Sequence, residues 1–257
     1  MVKVLVAGFT GAMGQAAVNL INSEADFELV GLYAPSAEGK SAADYDLPAA
    51  LPVYGRLAEV PANQAVWLDF TTPAVVYENI QYALKHGYTP LVGTSGLKDD
   101  EITNLQQLAH QHQRGGLIVP NFGLSAVLLM KFAREAAQYL PDVEIIEMHH
   151  EDKKDAPSGT ALATAKLIDE VRPRHEQSPS VENLPGVRGG DYHGIRVHAV
   201  RLPGYLAHEE VLFGGPGEAL SIRQDSFDRA SFMQGIKVAL EKIGQVDELL
   251  LGLEQVL

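Results

Sequence analysis

The 257-residue chain has no cysteine, one tryptophan and far fewer bases than acids. Without cysteine there is no disulfide framework, no thiol nucleophile and no thiolate metal ligand. Dehydrogenases that trap their substrate as a thiohemiacetal on cysteine are excluded on that ground. Twenty Lys and Arg against 33 Asp and Glu give a net charge of −13. That is the wrong sign for a nucleic-acid binder or for a protein held on an anionic membrane surface. No apolar run reaches the length of a membrane-spanning helix. Met1-Val2-Lys3-Val4-Leu5-Val6 enters the first motif without the pattern of a secretory leader, and a cytoplasmic location is the resulting expectation. An acidic chain also repels anions at long range, so a site for an anionic substrate must carry its own basic focus.

What is present suffices for a full core, with 46% hydrophobic residues in a length that suits one large or two small domains. Residues 2–7 read as a β-branched apolar strand. The glycine turn Gly8-Phe9-Thr10-Gly11-Ala12-Met13-Gly14 follows, and Met13, Ala16, Ala17, Leu20 and Ile21 then recur at helical spacing. Strand, glycine turn and helix form the context of a dinucleotide fingerprint, although the spacing is G-x-x-G-x-x-G and not the commoner G-x-G-x-x-G. Strands over 27–33, 66–70, 90–93 and 117–119 continue the alternation, with helices through about residue 86 and over 98–113. This pattern predicts a Rossmann-like, doubly wound parallel sheet of the α/β class, with ligands beyond the carboxyl ends of its strands. Gly8–Met13, Gly93-Thr94-Ser95 and Pro120-Asn121-Phe122-Gly123 all fall at those ends. Further along, helices over 124–140, 158–171 and 228–244 accompany strands over 143–150, 194–202, 209–213 and 220–224. Residues 172–194, rich in Pro, Gly and charge, read as a long exposed loop. The second half is accordingly expected to be an α+β domain.

The most informative segment is Glu147-Met148-His149-His150-Glu151-Asp152-Lys153-Lys154-Asp155-Ala156-Pro157-Ser158-Gly159-Thr160-Ala161. Two histidines end a strand, so their side chains leave on opposite faces and serve different ends. Two lysines follow, and Ser158 is a good N-cap behind Pro157. The N–H groups of Gly159 and Thr160 then lie in a first helical turn without intrahelical partners, a ready site for carboxylate or phosphate. Histidine titrates near neutrality and suits general acid catalysis. Taken singly, a His-His pair is a surface feature, a Lys pair a solvated face and a Ser-Gly-Thr start a cap. Together they describe a site for a small anionic substrate that must receive a proton. No third ligand stands at an obvious spacing for a metal.

Residues 147–161 closely resemble the signature of the 4-hydroxy-tetrahydrodipicolinate reductase (dihydrodipicolinate reductase) family of diaminopimelate and lysine biosynthesis, roughly E-x-H-H-x-x-K-x-D-A-P-S-G-T-A. The glycine loop ending Met-Gly, the turn at Asp69-Phe70-Thr71-Thr72-Pro73, the Gly93–Gly96 loop and the loop at 120–123 resemble the same family, and the likeness runs from Lys3 to about Leu253. The resemblance implies a reductase that takes hydride from NADPH or NADH. Gly8, Phe9, Thr10, Gly11, Ala12, Met13, Gly93, Thr94, Ser95, Pro120, Asn121, Phe122 and Gly123 would contact that cofactor. It implies His149 as proton donor or acceptor, Lys153 as second proton donor, and His150, Gly159 and Thr160 as substrate ligands. Residues 1–124 with 228–257 would bind the dinucleotide, and 125–227 would bind the dicarboxylate substrate and assemble a homotetramer.

Three positions depart from the family pattern. Ser95 replaces a second threonine, Ala12 stands where Arg or Lys is common, and Leu32-Tyr33-Ala34-Pro35-Ser36 lacks the acid that holds an adenosine ribose. Without that acid a 2′-phosphate is not repelled and Ser36 or Lys40 is placed to meet it, which tilts the expectation toward NADPH. Two alternatives stay open, a related reductase of another small amino-dicarboxylate and a redox-sensing module that binds NAD(P) without turnover.

Overall fold

The computed structural model describes residues 1–174, 180–228 and 230–257. In chain order the elements are β1 (Val2–Ala7), α1 (Ala12–Ser23), β2 (Phe27–Tyr33), β3 (Val53–Tyr54), β4 (Val66–Asp69), α2 (Val76–Lys85), β5 (Thr89–Val92), α3 (Asp99–Gln111) and β6 (Gly116–Ile118), followed by α4 (Leu124–Ala136), β7 (Asp142–His149), α5 (Gly159–Asp169), β8 (Gly190–Tyr192), β9 (Ile195–Arg201), β10 (Ala207–Gly215), β11 (Glu218–Ser226), α6 (Ser231–Lys242) and β12 (Leu249–Leu251). They form two compact units, residues 1–122 with 232–257 and residues 123–231.

The first unit is built on a parallel seven-stranded sheet in the order β12-β6-β5-β4-β1-β2-β3. Strands buried on both faces must be apolar throughout. Trp67 and Leu68 in β4 and Leu91 in β5 are fully enclosed. Trp67 sits at the centre of the core, edge-on to Tyr88 at 5.4 Å and tilted against Tyr33 at 5.7 Å. Burying an aromatic ring of this kind contributes ~2–3 kcal/mol. The chain runs outward from β1 through β2 and β3, then returns to the other side of β1 as β4. The order therefore reverses between β1 and β4, which opens a crevice at the carboxyl ends of those strands. On α1 the buried residues are Gly14, Ala17, Val18 and Ile21. The inner face thus includes Val18 and is displaced from Met13, Ala16 and Leu20.

The second unit carries a mixed five-stranded sheet in the order β11-β10-β7-β9-β8, with only β7 and β9 parallel. Val143 and Ile145 of β7, Val197 of β9, and Val211 and Phe213 of β10 face a core shared with Leu129 and Ala133 of α4 and Ala161, Ala165 and Ile168 of α5. Two helices over one face of a sheet is the α+β arrangement expected. The 172–194 stretch is not all loop, because β8 lies inside it and pairs antiparallel with β9, which follows; residues 175–179 of that stretch lie outside the described residues. Helix α6 begins at Ser231, three residues later than its apolar spacing suggested.

Candidate functional site

In the first unit the expected cofactor residues sit on loops leaving the carboxyl ends of β1, β5 and β6. Gly8 has φ +78°, and a Cβ on it would strike the Phe70 carbonyl; a Cβ on Gly14 would strike the carbonyl of Gly8. Only glycine allows the turn that feeds α1 directly out of β1. Gly11 offers α1 no side-chain cap, so the first-turn N–H groups from Ala12 and Met13 onward depend on an external acceptor. This bare, glycine-walled turn fits a dinucleotide pyrophosphate. Phe9 and Phe122 are buried and offer a ligand only backbone. Ser95 and Pro120 are exposed, whereas Gly93, Thr94 and Asn121 are half-buried. Gly123 opens the second unit as the N-cap of α4.

Ser36 Oγ lies 3.1 Å from Thr10 Oγ1, and Lys40 Nζ lies 5.6 Å over the Tyr45 ring, which packs edge-on against Phe9 at 4.8 Å. Both residues expected near a 2′-phosphate are therefore tied to the glycine loop. Sequence reasoning gave Asp69 no role of its own. It is fully buried at the end of β4 and accepts from Trp67 Nε1 at 3.0 Å, Thr71 N–H at 3.0 Å, Thr71 Oγ1 at 2.6 Å, Asn79 Nδ2 at 3.1 Å and Thr94 Oγ1 at 2.7 Å. One carboxylate thus fixes the turn after β4, helix α2 and the loop after β5.

In the second unit the equivalent hub is Glu147, two residues before His149 on the same face of β7. Its side chain is fully buried, and it accepts from His149 Nδ1 at 2.6 Å, Arg201 Nη1 and Nη2 at 2.7 Å each, and the Ser158 N–H at 2.9 Å. Burial works to raise the Glu147 carboxyl, but Arg201, His149 and the Ser158 N–H outweigh it and hold the group below its ordinary value. For His149, burial lowers the proton affinity by more than the bond to Glu147 raises it, and Lys153 and Arg201 act in the same sense as burial. The ring is then neutral near pH 7, with Nδ1–H donated to a carboxylate that can only accept and Nε2 left as the acceptor nitrogen.

Arg201 also donates from Nη2 to the Asp155 carbonyl at 2.7 Å, and Lys153 Nζ contacts both Asp155 oxygens at 2.8 and 2.9 Å. The lysine loop is thereby anchored to the same hub. Ser158 caps α5 by accepting from the Ala161 N–H at 3.1 Å. Beside it, Gly159 is exposed, and a Cβ there would meet nothing within 4 Å, so the helix N-terminus faces open space. Thr160 is half-buried, and His150 and Lys154 are exposed beyond the end of β7. Arg201 lies far from the motif in sequence and carried no local signal. Among the described residues no group of three or more His, Cys, Asp or Glu is placed to hold a metal ion.

Comparison with known proteins agrees over the whole length. Residues 2–122 match the family model described as dihydrodipicolinate reductase, N-terminus, and residues 125–257 match that for the C-terminus. The 4-hydroxy-tetrahydrodipicolinate reductase of Limosilactobacillus fermentum is 63% identical over 259 residues, covering 100% of both chains. That of Enterococcus faecalis is 51% identical over 260 residues, again covering 100% of both. A solved structure, the dipicolinate-bound dihydrodipicolinate reductase from Paenisporosarcina sp. TG-14, aligns with a TM-score of 0.90 at 42% identity across 100% of both chains. With two family models that together span nearly every residue and relatives identical at more than half of their positions, the chain belongs to the dihydrodipicolinate reductase family.

Proposed function

We propose that this chain reduces 4-hydroxy-2,3,4,5-tetrahydrodipicolinate to 2,3,4,5-tetrahydrodipicolinate, with NADPH or NADH as hydride donor, His149 and Lys153 as the proton-handling residues, and His150, Gly159 and Thr160 as substrate ligands. The observation that carries these roles is the convergence on Glu147 of a histidine, a guanidinium and the start of α5, with the lysine loop held by the same Arg201. The bare turn at Gly8–Met13 would hold the cofactor, which supplies a hydride when bound.

Overall, the reaction releases the 4-hydroxyl as water and adds a hydride and a proton. Hydride addition leaves negative charge on the conjugated system of a substrate that is already a dicarboxylate. Lys153 and Arg201 supply positive charge where that charge develops. The N–H groups of Gly159 and Thr160, at a helix end opening to free space, receive one carboxylate. A bound dianion also raises the proton affinity of His149 against the burial that lowers it. Glu147 holds the ring through Nδ1, so the proton is exchanged at Nε2. Lys153 stands ready as the second donor, aimed by Asp155.

The test is oxidation of NADPH and of NADH in parallel by the purified chain. The substrate is generated in place from pyruvate and aspartate semialdehyde by the preceding synthase. Substrate-dependent oxidation is expected, faster with NADPH because residues 32–36, at the end of β2, carry no acid to oppose the 2′-phosphate. Tight cofactor binding without oxidation of either would overturn the reading in favour of a sensor. A homotetramer and a cytoplasmic location belong to the same proposal. The assembly would use the sheet face turned away from α4 and α5, where Ile146, Leu212 and Val200 are only half-buried. Sedimentation and cell fractionation test these two points. Among the described residues no helix is long and apolar enough to cross a membrane.

A further inference from the structure

Among the described residues three acidic side chains are buried, Asp69, Glu147 and Glu209. The first two have donors at both carboxylate oxygens. Glu209, on β10, does not: its Oε1 is shut off from water with no hydrogen-bond partner. It stands directly opposite Glu147 in the antiparallel pairing of β10 with β7, and residues so opposed place their Cβ atoms ~4.5–5.5 Å apart. On its other side it faces Gln224 of β11, a neutral group that accepts from the Ser125 hydroxyl at 3.3 Å. From α5 its side-chain neighbour is Thr164, whose single hydroxyl hydrogen is drawn both to the Thr160 carbonyl at 3.0 Å and to the Glu209 carboxylate. His208 and Glu210, its neighbours along β10, point to the opposite face. The cation nearest in the network, Arg201, is bound to Glu147, as is the His149 ring.

Two carboxylates facing each other in a dry site do not both ionise readily. The partners decide which one keeps the proton. Glu147 has a bidentate guanidinium, an imidazole N–H and a backbone N–H. Glu209 has no cation, and its one neutral partner, Thr164, carries a single hydrogen that the Thr160 carbonyl also claims. We propose that Glu209 is a positioning residue held as a neutral carboxylic acid, which leaves Arg201 and His149 to Glu147 alone, and that its ionisation disables the site in alkali. Burial is the largest cause that pushes the Glu209 carboxyl up to about 7; the hydrogen bond with Thr164 works against it, and the facing charge of Glu147 adds to it. Once ionised, it competes with Glu147 for Arg201 and opposes an incoming dicarboxylate. The inference rests on the reading of the second unit as the reductase substrate site.

The test is an NMR titration of the full chain, with the side-chain carboxyl carbon of every glutamate labelled, over about pH 5–9. One glutamate is expected to titrate near 7, and its signal is expected to be missing from Glu209→Gln. The ratio of turnover in alkali to turnover in mild acid should rise roughly tenfold in the variant, the scale of one pKa unit of coupling. A parent chain in which no glutamate titrates above about 6 overturns the proposal even if the variant fails to fold. An unchanged turnover ratio overturns the positioning role. A titrating Glu209 in a chain that oxidises no cofactor supports the neutral acid and counts against the reductase reading.

Discussion

Asp69 and Glu147 are both fully buried carboxylates at or near the end of a strand, one in each unit, and each binds together segments that are separate in sequence. They differ in what they accept from. Asp69 is surrounded by neutral donors, an indole, two threonines, an amide and a backbone N–H. Glu147 is surrounded by a guanidinium, an imidazole and the N–H that precedes a helix. The first arrangement fixes loop geometry with partners that do not ionise near neutrality, which suits a cofactor used in the same way on every turn. The second holds an imidazole, a side chain able to change its proton near neutrality, which suits a substrate that gains one.

That contrast can be broken by substitution. Lys153→Ala should lower turnover by ~10²–10⁴ on the scale of general acid catalysis, with cofactor affinity measured by fluorescence titration unchanged; near-normal turnover would remove Lys153 from the mechanism. Asp69→Asn should do the reverse. An amide turns a donor toward donors and strands at least two of them, which costs about 3 kcal/mol of stability in urea unfolding and weakens cofactor binding more than it alters turnover at saturation. Glu147→Gln should lower turnover ten- to hundredfold, from roughly 1–3 kcal/mol of network coupling. The folded Glu147 carboxyl titrates below its unfolded value, so the stability it supplies is present above ~4.3 and is lost as pH falls through the folded value. The stability gap between parent and Glu147→Gln should therefore close in acid; a gap constant with pH would contradict the ionic account. Ser158→Ala, which removes only the cap of α5, should cost ~1 kcal/mol and raise KM for the substrate with little change in kcat.

The sheet of the first unit was legible because β1, β2, β4, β5 and β6 are apolar runs closed by Gly, Thr or Pro, a pattern that buried parallel strands impose. Three strands were not. Val53–Tyr54 is two residues long and has no period. Gly190–Tyr192 is an edge strand in a segment whose glycines signal turns. Leu249–Leu251 is an apolar triplet that a helix tail would equally contain. At the candidate site, the residues that would touch ligands were legible because their types are chemically committed: His149, Lys153, Gly159. The residues that hold them in place were not. Glu147 stood in the signature with no role assigned to it, and Arg201 reaches it only through the pairing of β7 with β9. Such residues are specified by register, and register is a property of two strands that no single stretch of sequence displays.

The first unit is interrupted by the second: β12 completes its sheet by pairing with β6, after the whole of residues 123–231 has intervened. On a ribosome the edge of β6 is made early and its neighbour late. At ~5–20 residues per second, that edge waits on the order of ten seconds for Leu249–Leu251 to emerge. During that interval Leu117 and Ile118 present an unpaired, apolar strand edge of the kind that recruits other nascent chains. Residues 249–251 thus pair an edge of β6 that the synthesis of everything between them has left open.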